Sequence, residues 1–334
     1  MSAREIGGYF ELERSWGDHY HRDAVALNSG RGCILYLAEL RSIRTVWVPD
    51  YMCDSVWSAF LRAGCNLRFY RVGLDFRPVY DFEVGSEEWI FICDYYGQLS
   101  DSDIALATER SDGRLILDET QAFFKRPSID CDVMYTCRKW FGVADGGYVL
   151  TAHGEHLDRN LTRDESRDRM DFVLGRAERS AGEYFERASE NNELFEVEPA
   201  REMSVVTEIL MRGIDYEKVA ERRRENWRVL NAALGGISGL PVTEPEVPFM
   251  YPLMVEGADS LRKALIAEKI YVPKLWPNVV GSSEAGPAAV SLAEGIVPLP
   301  IDQRYGCAEM ERVCLVVLGY LNHRNGDVVN HAEA

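Results

Sequence analysis

Lysine and histidine are both scarce in this 334-residue chain, with six residues of each. Too few histidines, without ligand spacing, leave no basis for a metal site; His19 and His21 in GDHYH stand as a candidate substrate contact at most. No apolar run approaches the roughly 20 residues of a membrane-crossing helix. The N-terminal MSAREIGGYFELERSW carries acids where a secretory signal needs a basic end and an unbroken apolar stretch. Export and membrane insertion are not expected, and the chain is read as cytoplasmic. Eight cysteines occur without a single CxxC pair, several inside apolar stretches such as FIC and RVCLVV, so they read as reduced core residues. Basic residues are outnumbered 37 to 54, a formal charge of -17, which argues against a nucleic-acid partner. The one basic run, Arg222-Arg223-Arg224, continues into Glu225-Asn226-Trp227 in a helical pattern and reads as a solvated or subunit-facing helix. Repeats and low-complexity tracts are also missing.

What is present is an ordinary globular composition, 46% hydrophobic and 27% charged, in a chain long enough for two domains. From residue 28 to about 151, short β-rich runs alternate with helical patterns. TVWVP (45–49), NLRFYRV (66–72), EWIFICDYYG (88–97), RLILD (114–118), DVMYT (132–136) and GYVLT (147–151) read as strands. CILYLAEL after residue 32, DSVWSAFLRAG (54–64) and DSDIALATER (101–110) read as helices. The expectation is an α/β protein with a large doubly wound, mostly parallel sheet. The Arg-, Asp- and Glu-rich stretch 155–200 predicts long surface or interface helices, and Val205 to Leu234 a long helical pattern. A hinge near 215 separates a large domain (1–215) from a small C-terminal α+β domain (216–325), followed by a disordered tail (326–334).

Ligands of open α/β sheets collect at the carboxyl ends of the strands, where this sequence places Asp94, Asp118 and Thr136. A carboxylate ending an apolar strand loses hydration and is driven toward neutrality unless a cation faces it. A protonated pyridine nitrogen would serve for Asp118; a structural aspartate bonded to loop amides is the plainer alternative. Lys139 follows the strand DVMYT and precedes Trp140-Phe141. An amine desolvated by aromatic surface becomes nucleophilic toward an aldehyde, although a lysine stem lying over aromatic rings accounts for the same pattern. Arg138 beside it favours a neutral amine or an anionic ligand, since two adjacent cations meet at a strand end. Ser29-Gly30-Arg31-Gly32 opens a helix, whose free amides and positive end make an anion site; a simple N-cap is the alternative. Phosphate turn, ring aspartate and Schiff-base lysine, in that order, mean more than any one of them alone.

With these residues in hand, the chain resembles the DegT/StrS-type family of pyridoxal-phosphate (PLP) aminotransferases of fold type I, which act mostly on nucleotide-linked keto sugars. The resemblance rests on LNSGRGCILYLAEL, VPDYMCDSV, LDETQAFF with its Asp-x-x-Gln motif, and RKWFGVADGGYVLT with its acidic-Gly-Gly turn. The segments REMSVVTEILMRGIDYEKVAERRRENW, KIYVPKLWP and IVPLPIDQRYG support it. It implies that Lys139 forms the Schiff base and shuttles protons, that Asp118 pairs with the pyridine nitrogen, and that Gln121 contacts the ring hydroxyl. Ser29, Gly30 and Arg31 would hold the phosphate. Retention of lysine disfavours the sugar dehydratases of the family, which carry histidine there. Departures cluster at phosphate and substrate contacts. Met134 replaces a phosphate-binding serine, leaving Thr136 or Tyr135 to substitute, and Arg31 replaces a threonine. Cys53 occupies the place of the aromatic that covers the cofactor ring, with Tyr51 or Tyr95 as candidates to replace it, and an asparagine lent by the neighbouring subunit falls near Pro199. Tyr95, Lys274 and Trp276 are candidate substrate contacts.

The implied activity is transfer of an amino group, with glutamate as the expected donor, to a keto sugar in polysaccharide or natural-product assembly. The partners implied are these two small molecules and a second subunit, in a homodimer with shared active sites. Two alternatives stay open: a PLP enzyme acting on a non-sugar amine or keto acid, and a PLP-binding regulatory protein without turnover.

Overall fold

The computed structural model describes residues 6–332, and side chains through residue 323. The apolar runs of the first half become the strands β1 (Val25–Leu27), β2 (Thr45–Pro49), β3 (Asn66–Val72), β4 (Pro78–Val79), β5 (Trp89–Cys93), β6 (Leu115–Asp118), β7 (Asp132–Thr136) and β8 (Gly147–Leu150). They form one eight-stranded sheet in the order β1-β8-β7-β6-β5-β2-β3-β4. The five strands from β3 to β7 pair in parallel, whereas β8 runs antiparallel to both neighbours and β4 to β3. The mostly parallel α/β sheet expected from the sequence is thus present. Helices α1 (Gly30–Leu40), α2 (Asp54–Arg62) and α3 (Asp101–Arg110) connect the strands. Covered on both faces, the central strands need no polar side; Leu115, Ile116 and Leu117 of β6 are all fully buried. The chain leaves β2 outward to β3 and then returns to β5 on the other side of β2. That reversal of strand order opens a crevice beyond the carboxyl ends of β2, β5, β6 and β7.

Three differences from the sequence reading have local causes. The strand expected over 88–97 stops at Cys93, because the Asp94 carboxylate accepts from the Leu99 amide at 2.7 Å and the chain turns through left-handed Tyr96 and Gly97. Residues 155–200 form no long helix, only α4 (Asp171–Glu178) and α5 (Phe185–Leu194), split by the Ser180–Gly182 turn. The helical pattern of 205–234 divides into α6 (Val205–Arg212) and α7 (Tyr216–Leu234), with Asp215 capping the second by accepting from the Lys218 amide.

Asp145 ties α6 to the β7–β8 turn. Fully buried, it accepts from the Ser204 amide at 2.8 Å, from the Ser204 hydroxyl at 2.7 Å and from the Thr207 hydroxyl. The next residue, Gly146, has φ +119°, and a Cβ there would stand 2.9 Å from Cys137 Sγ, so only glycine serves this turn.

A second core gathers α7, β9 (Tyr251–Met254), α8 (Ala258–Ala267), β10 (Ile296–Leu299) and α10 (Cys307–Ala332) beside the first, while α9 (Pro287–Gly295) turns its buried residues into the first. β9 and β10 pair antiparallel, and Trp227, Leu230, Leu253, Leu261, Val297 and Val313 pack around them. The division is not clean along the chain: Val247, Phe249, Trp276, Val279 and Leu292 pack into the first core. Helix α10 runs on through Ala332, over most of the tail read as disordered; that stretch contains no proline to end it, and residues 333–334 lie outside the described residues.

Arg223 fastens the two parts. The sequence placed its run on a solvated or subunit-facing helix, yet Arg223 is 1% exposed. It donates to the Phe249 carbonyl at 2.9 Å and the Gln303 side chain at 2.9 Å, and its guanidinium lies 4.3 Å from the Trp140 ring centroid. Gln303 in turn donates to the Trp140 carbonyl at 2.8 Å. Burial holds the guanidinium down to about 9, so its neighbours must solvate it in place of water. Arg223→Ala strands these acceptors and opens a cavity, and is expected to lower the unfolding free energy by about 2–4 kcal/mol in chemical denaturation. A loss under about 0.5 kcal/mol, the surface-substitution range, would show that the fastening is not needed.

Candidate active site

A cavity of about 330 Å³ lies in the crevice at the strand ends. Of the residues singled out in the sequence, Ser29, Gly30, Arg31, Cys53, Asp118, Gln121, Thr136, Lys139 and Trp276 line it. Tyr51, Tyr95 and Lys274 do not. Tyr51 and Tyr95 are fully packed, the Tyr95 hydroxyl donating to the Tyr51 carbonyl at 2.5 Å, and Lys274 pairs with Asp259 at 3.0 Å. His19 and His21 also stay outside. His21 is buried against Tyr135, its Nε2 2.8 Å from the Phe123 carbonyl, and burial pushes it down to about 3; His19 Nδ1 meets the Tyr148 hydroxyl at 2.6 Å.

Asp118 ends β6, where the parallel ladder delivers it beside Cys93 and Met134. Only 4% exposed, its carboxylate accepts from the Thr120 amide at 2.9 Å. Burial raises its pKa, while Thr120 and the charge of Lys139 act the other way and do not cancel it. A second buried acid follows immediately. Glu119 and Asp94 are both fully buried, with Lys125 Nζ 2.6 Å from Asp94 and 3.9 Å from Glu119. One cation facing two carboxyls leaves one of them protonated, and burial pushes both upward. Asp118 makes no ion pair among the described residues, Lys139 acting on it only from across the cavity.

Lys139 reaches the cavity from the loop after β7 and is exposed there. The desolvation expected from Trp140 and Phe141 does not occur, because both rings turn into the core. The Trp140 indole donates to the Thr120 carbonyl at 2.9 Å, and Phe141 packs edge-on against Phe123. Gln121 is fixed through its Oε1, which accepts from the Tyr96 amide at 2.9 Å; its Nε2 finds no partner among the described residues.

At the opposite end, Ser29 caps α1 by accepting from the Gly32 amide at 3.0 Å, leaving the first amides of the helix facing the cavity. A Cβ at Gly30 would stand 2.6 Å from the Thr136 methyl, so the glycine lets β7 and α1 close together here. Two guanidiniums share this end. Arg31 donates to the Asn192 carbonyl at 3.4 Å and approaches Glu196 at 3.9 Å, and its buried Nε has no partner among the described residues. Arg138 is 3.4 Å from the Asn192 side chain, and burial together with Arg31 and Arg169 holds it down to about 10. Unpartnered Thr136 Oγ1, unpartnered Arg31 Nε, open helix amides and two crowded cations make a cradle for a multiply charged anion.

The sequence reading pointed to an anion beside Arg138 without placing it in the phosphate cradle, and it missed Asn192 of α5 and Glu196 just beyond it. The pair Arg138-Lys139 was a signal for the first. Nothing in the composition of 155–200 marks the other two.

No protein-family model matches the sequence, and no curated protein is similar to it by sequence. Solved structures do match. A DegT DnrJ EryC1 StrS aminotransferase from Brucella abortus superposes with a TM-score of 0.62 at 17% identity, over 89% of this chain and 85% of that one. The sugar aminotransferase CalS13 from Micromonospora echinospora gives 0.64 at 16%, over 89% and 87%. Spr1654 from Streptococcus pneumoniae, in its PLP-form, gives 0.62 at 13%, over 88% and 86%. The chain therefore has the fold of the DegT/StrS-type aminotransferases that its motifs resemble.

The raised pKa of Asp118 sets a stability trade. A carboxyl whose folded pKa lies above its unfolded one costs stability as pH rises past the ordinary carboxylate range, and that cost is absent below it. Asp118→Asn is expected to melt higher than wild type at pH 8, with the gain vanishing toward about pH 4. Equal melting temperatures at both pH values would mean that Asp118 is already compensated within the fold.

Proposed function

We propose that the chain is a PLP-dependent aminotransferase that moves an amino group from an amino acid, with glutamate as the donor, to a keto sugar, nucleotide-linked in the favoured case. The observation that carries this reading is the pairing of an uncompensated buried carboxylate, Asp118, with an amine, Lys139, across one cavity from a dianion cradle. The group fits the residues present. Its phosphate matches the α1 terminus with Thr136 and Arg31, its ring nitrogen matches Asp118, and its ring hydroxyl matches the unused Nε2 of Gln121. Superposition on CalS13 and on the PLP-form of Spr1654 supports both the cofactor and the sugar acceptor.

When bound, PLP supplies an aldehyde that takes up an amine and a protonated ring that stores the electron pair released at a neighbouring carbon. Asp118 keeps that ring proton in place, because the carboxylate it has buried is stable only beside a cation. Lys139 is the amine that would hold the cofactor's aldehyde through its Nζ, and from the same place in the cavity its free amine would serve as the base that takes a proton from the donor carbon and gives it back. Arg31 and the α1 amides anchor the far end, so the carbon that changes stays within reach of Lys139. Overall the donor would become a 2-oxo acid, its new oxygen taken from water, and its amino group would replace the carbonyl oxygen of the acceptor, which departs as water. We further propose a cytoplasmic homodimer whose second copy completes the site. The exposed polar side chains of Asn192 and Glu196 at the cavity wall support this placement.

The deciding experiment is the visible absorption of the purified protein with PLP, before and after glutamate, for wild type and Lys139→Ala. A band that forms in wild type only, and that glutamate bleaches, is the expected result. A band untouched by glutamate would point to a regulator or another donor, and activity confined to non-sugar carbonyls would replace the acceptor class. Arg31→Ala should weaken PLP binding about 10- to 100-fold, as loss of a charge-assisted contact does. Unchanged affinity would place the phosphate elsewhere.

A further inference from the structure

We propose that Trp276 is the aromatic cover of the cofactor ring, delivered from the C-terminal half of the chain rather than from the β2–α2 loop. The inference rests on reading the cavity as the PLP site. Trp276 is the single aromatic residue among those lining the cavity. Tyr51 and Tyr95, the nearer candidates by sequence, stand behind it: the Trp276 ring meets Tyr51 edge-on at 4.5 Å (81°) and Tyr95 at 5.4 Å (68°). Both tyrosines are buried to within 1%, so they hold the indole in place and present no face of their own.

The backbone at Trp276 is left-handed, φ 51° and ψ 57°, a conformation that a bulky residue adopts only at a cost of about 1–3 kcal/mol and only where its surroundings enforce it. Downstream of the tryptophan, Asn278 Nδ2 donates to the Met52 carbonyl at 2.9 Å, and the Gly286 amide donates to the Asp50 carboxylate at 2.8 Å. Asp50 is fully buried at the end of β2 and also accepts from the Val72 amide at 3.0 Å and from Arg71 at 3.3 Å. Arg71 donates onward to the Glu284 carbonyl at 2.6 Å. Residues 276–286 are thus a strap pinned at both ends to the loop that starts α2, with Cys53 lining the cavity beneath it.

A ring kept protonated by Asp118 is cationic and electron-poor, and an indole is the side chain whose face attracts such a ring most strongly. Cys53 offers no such face. The strap supplies one, aimed by a left-handed residue whose ring is held from behind by Tyr51 and Tyr95.

The test is a titration of wild type, Trp276→Phe and Trp276→Ala with PLP, reading the visible band and the indole emission together. Trp276→Ala is expected to bind PLP about tenfold more weakly and Trp276→Phe within about threefold of wild type. Both should lose a disproportionate share of the emission quenching, since the indole nearest the cofactor dominates it. The band should move in the alanine variant and stay in the phenylalanine variant. Wild-type affinity and an unmoved band in Trp276→Ala, with the band present in wild type, would overturn the cover while leaving the PLP reading intact. Absence of any band in wild type would remove the PLP reading and this inference with it. Should Trp276→Ala fail to fold, the phenylalanine variant still decides through its quenching, which a merely structural tryptophan leaves at the wild-type value.

Discussion

Burial of a carboxylate at the end of a fully apolar strand is the constraint on which the rest of this structure depends. Three consecutive hydrophobic residues commit β6 to the centre of the sheet, and the parallel register then leaves no choice about where Asp118 arrives. The two other acids nearby are looked after by the protein itself: Lys125 sits between Asp94 and Glu119, and one proton serves the pair. Asp118 receives only hydrogen bonds from Thr120 and the more distant field of Lys139. Adjacent residues on one loop therefore meet opposite fates, one neutralised internally and one held open for a cation from outside. A fold that maximised stability would have treated them alike.

The same division appears at the anion end. Most arginines here are satisfied by carboxylates, as Arg41 is by Asp132 and Glu155, or Arg169 by Asp164. Arg31 and Arg138 are crowded together with long 3.4 Å contacts to the Asn192 carbonyl and side chain, the Phe195 ring and a distant glutamate for company. Excess positive charge at one end of the cavity and excess negative charge at the other give it a polarity that matches a molecule with a phosphate on one side and a protonated nitrogen on the other.

Much of this was legible in the sequence because it is local. The boundaries of β2, β3 and β7 follow directly from their apolar and β-branched runs, and Asp118, Gln121 and Lys139 sit at fixed distances from them. The Gly30 approach and the Gly146 turn are likewise written in single residues. What could not be read depends on contacts across the chain. Tyr51 was a better candidate than Trp276 by position, but its ring is claimed by Tyr95 and by Trp276 itself. Lys274 lies two residues from the cavity-lining tryptophan and still turns away to Asp259. The charged stretch 155–200 pointed to long helices by composition, whereas one small-residue turn at 180–182 divides it and swings α5 against the site. Arg223 read as surface charge and is a buried fastening, because three carbonyl and amide oxygens converge where periodicity showed only a polar run.

That fastening has a mechanical consequence. The guanidinium of Arg223 grips the ring of Trp140, the residue next to Lys139, so the C-terminal body is pivoted almost at the nucleophile. Any rocking of that body about this pin displaces nearby atoms least and remote atoms most. The amine would keep its aim through such a swing, and the strap that carries Trp276, tied to Met52 and Asp50, would stay with it while the more distant α8 and α10 moved. A lever with its fulcrum at the reactive group can admit and release bulky molecules without ever losing its chemical alignment.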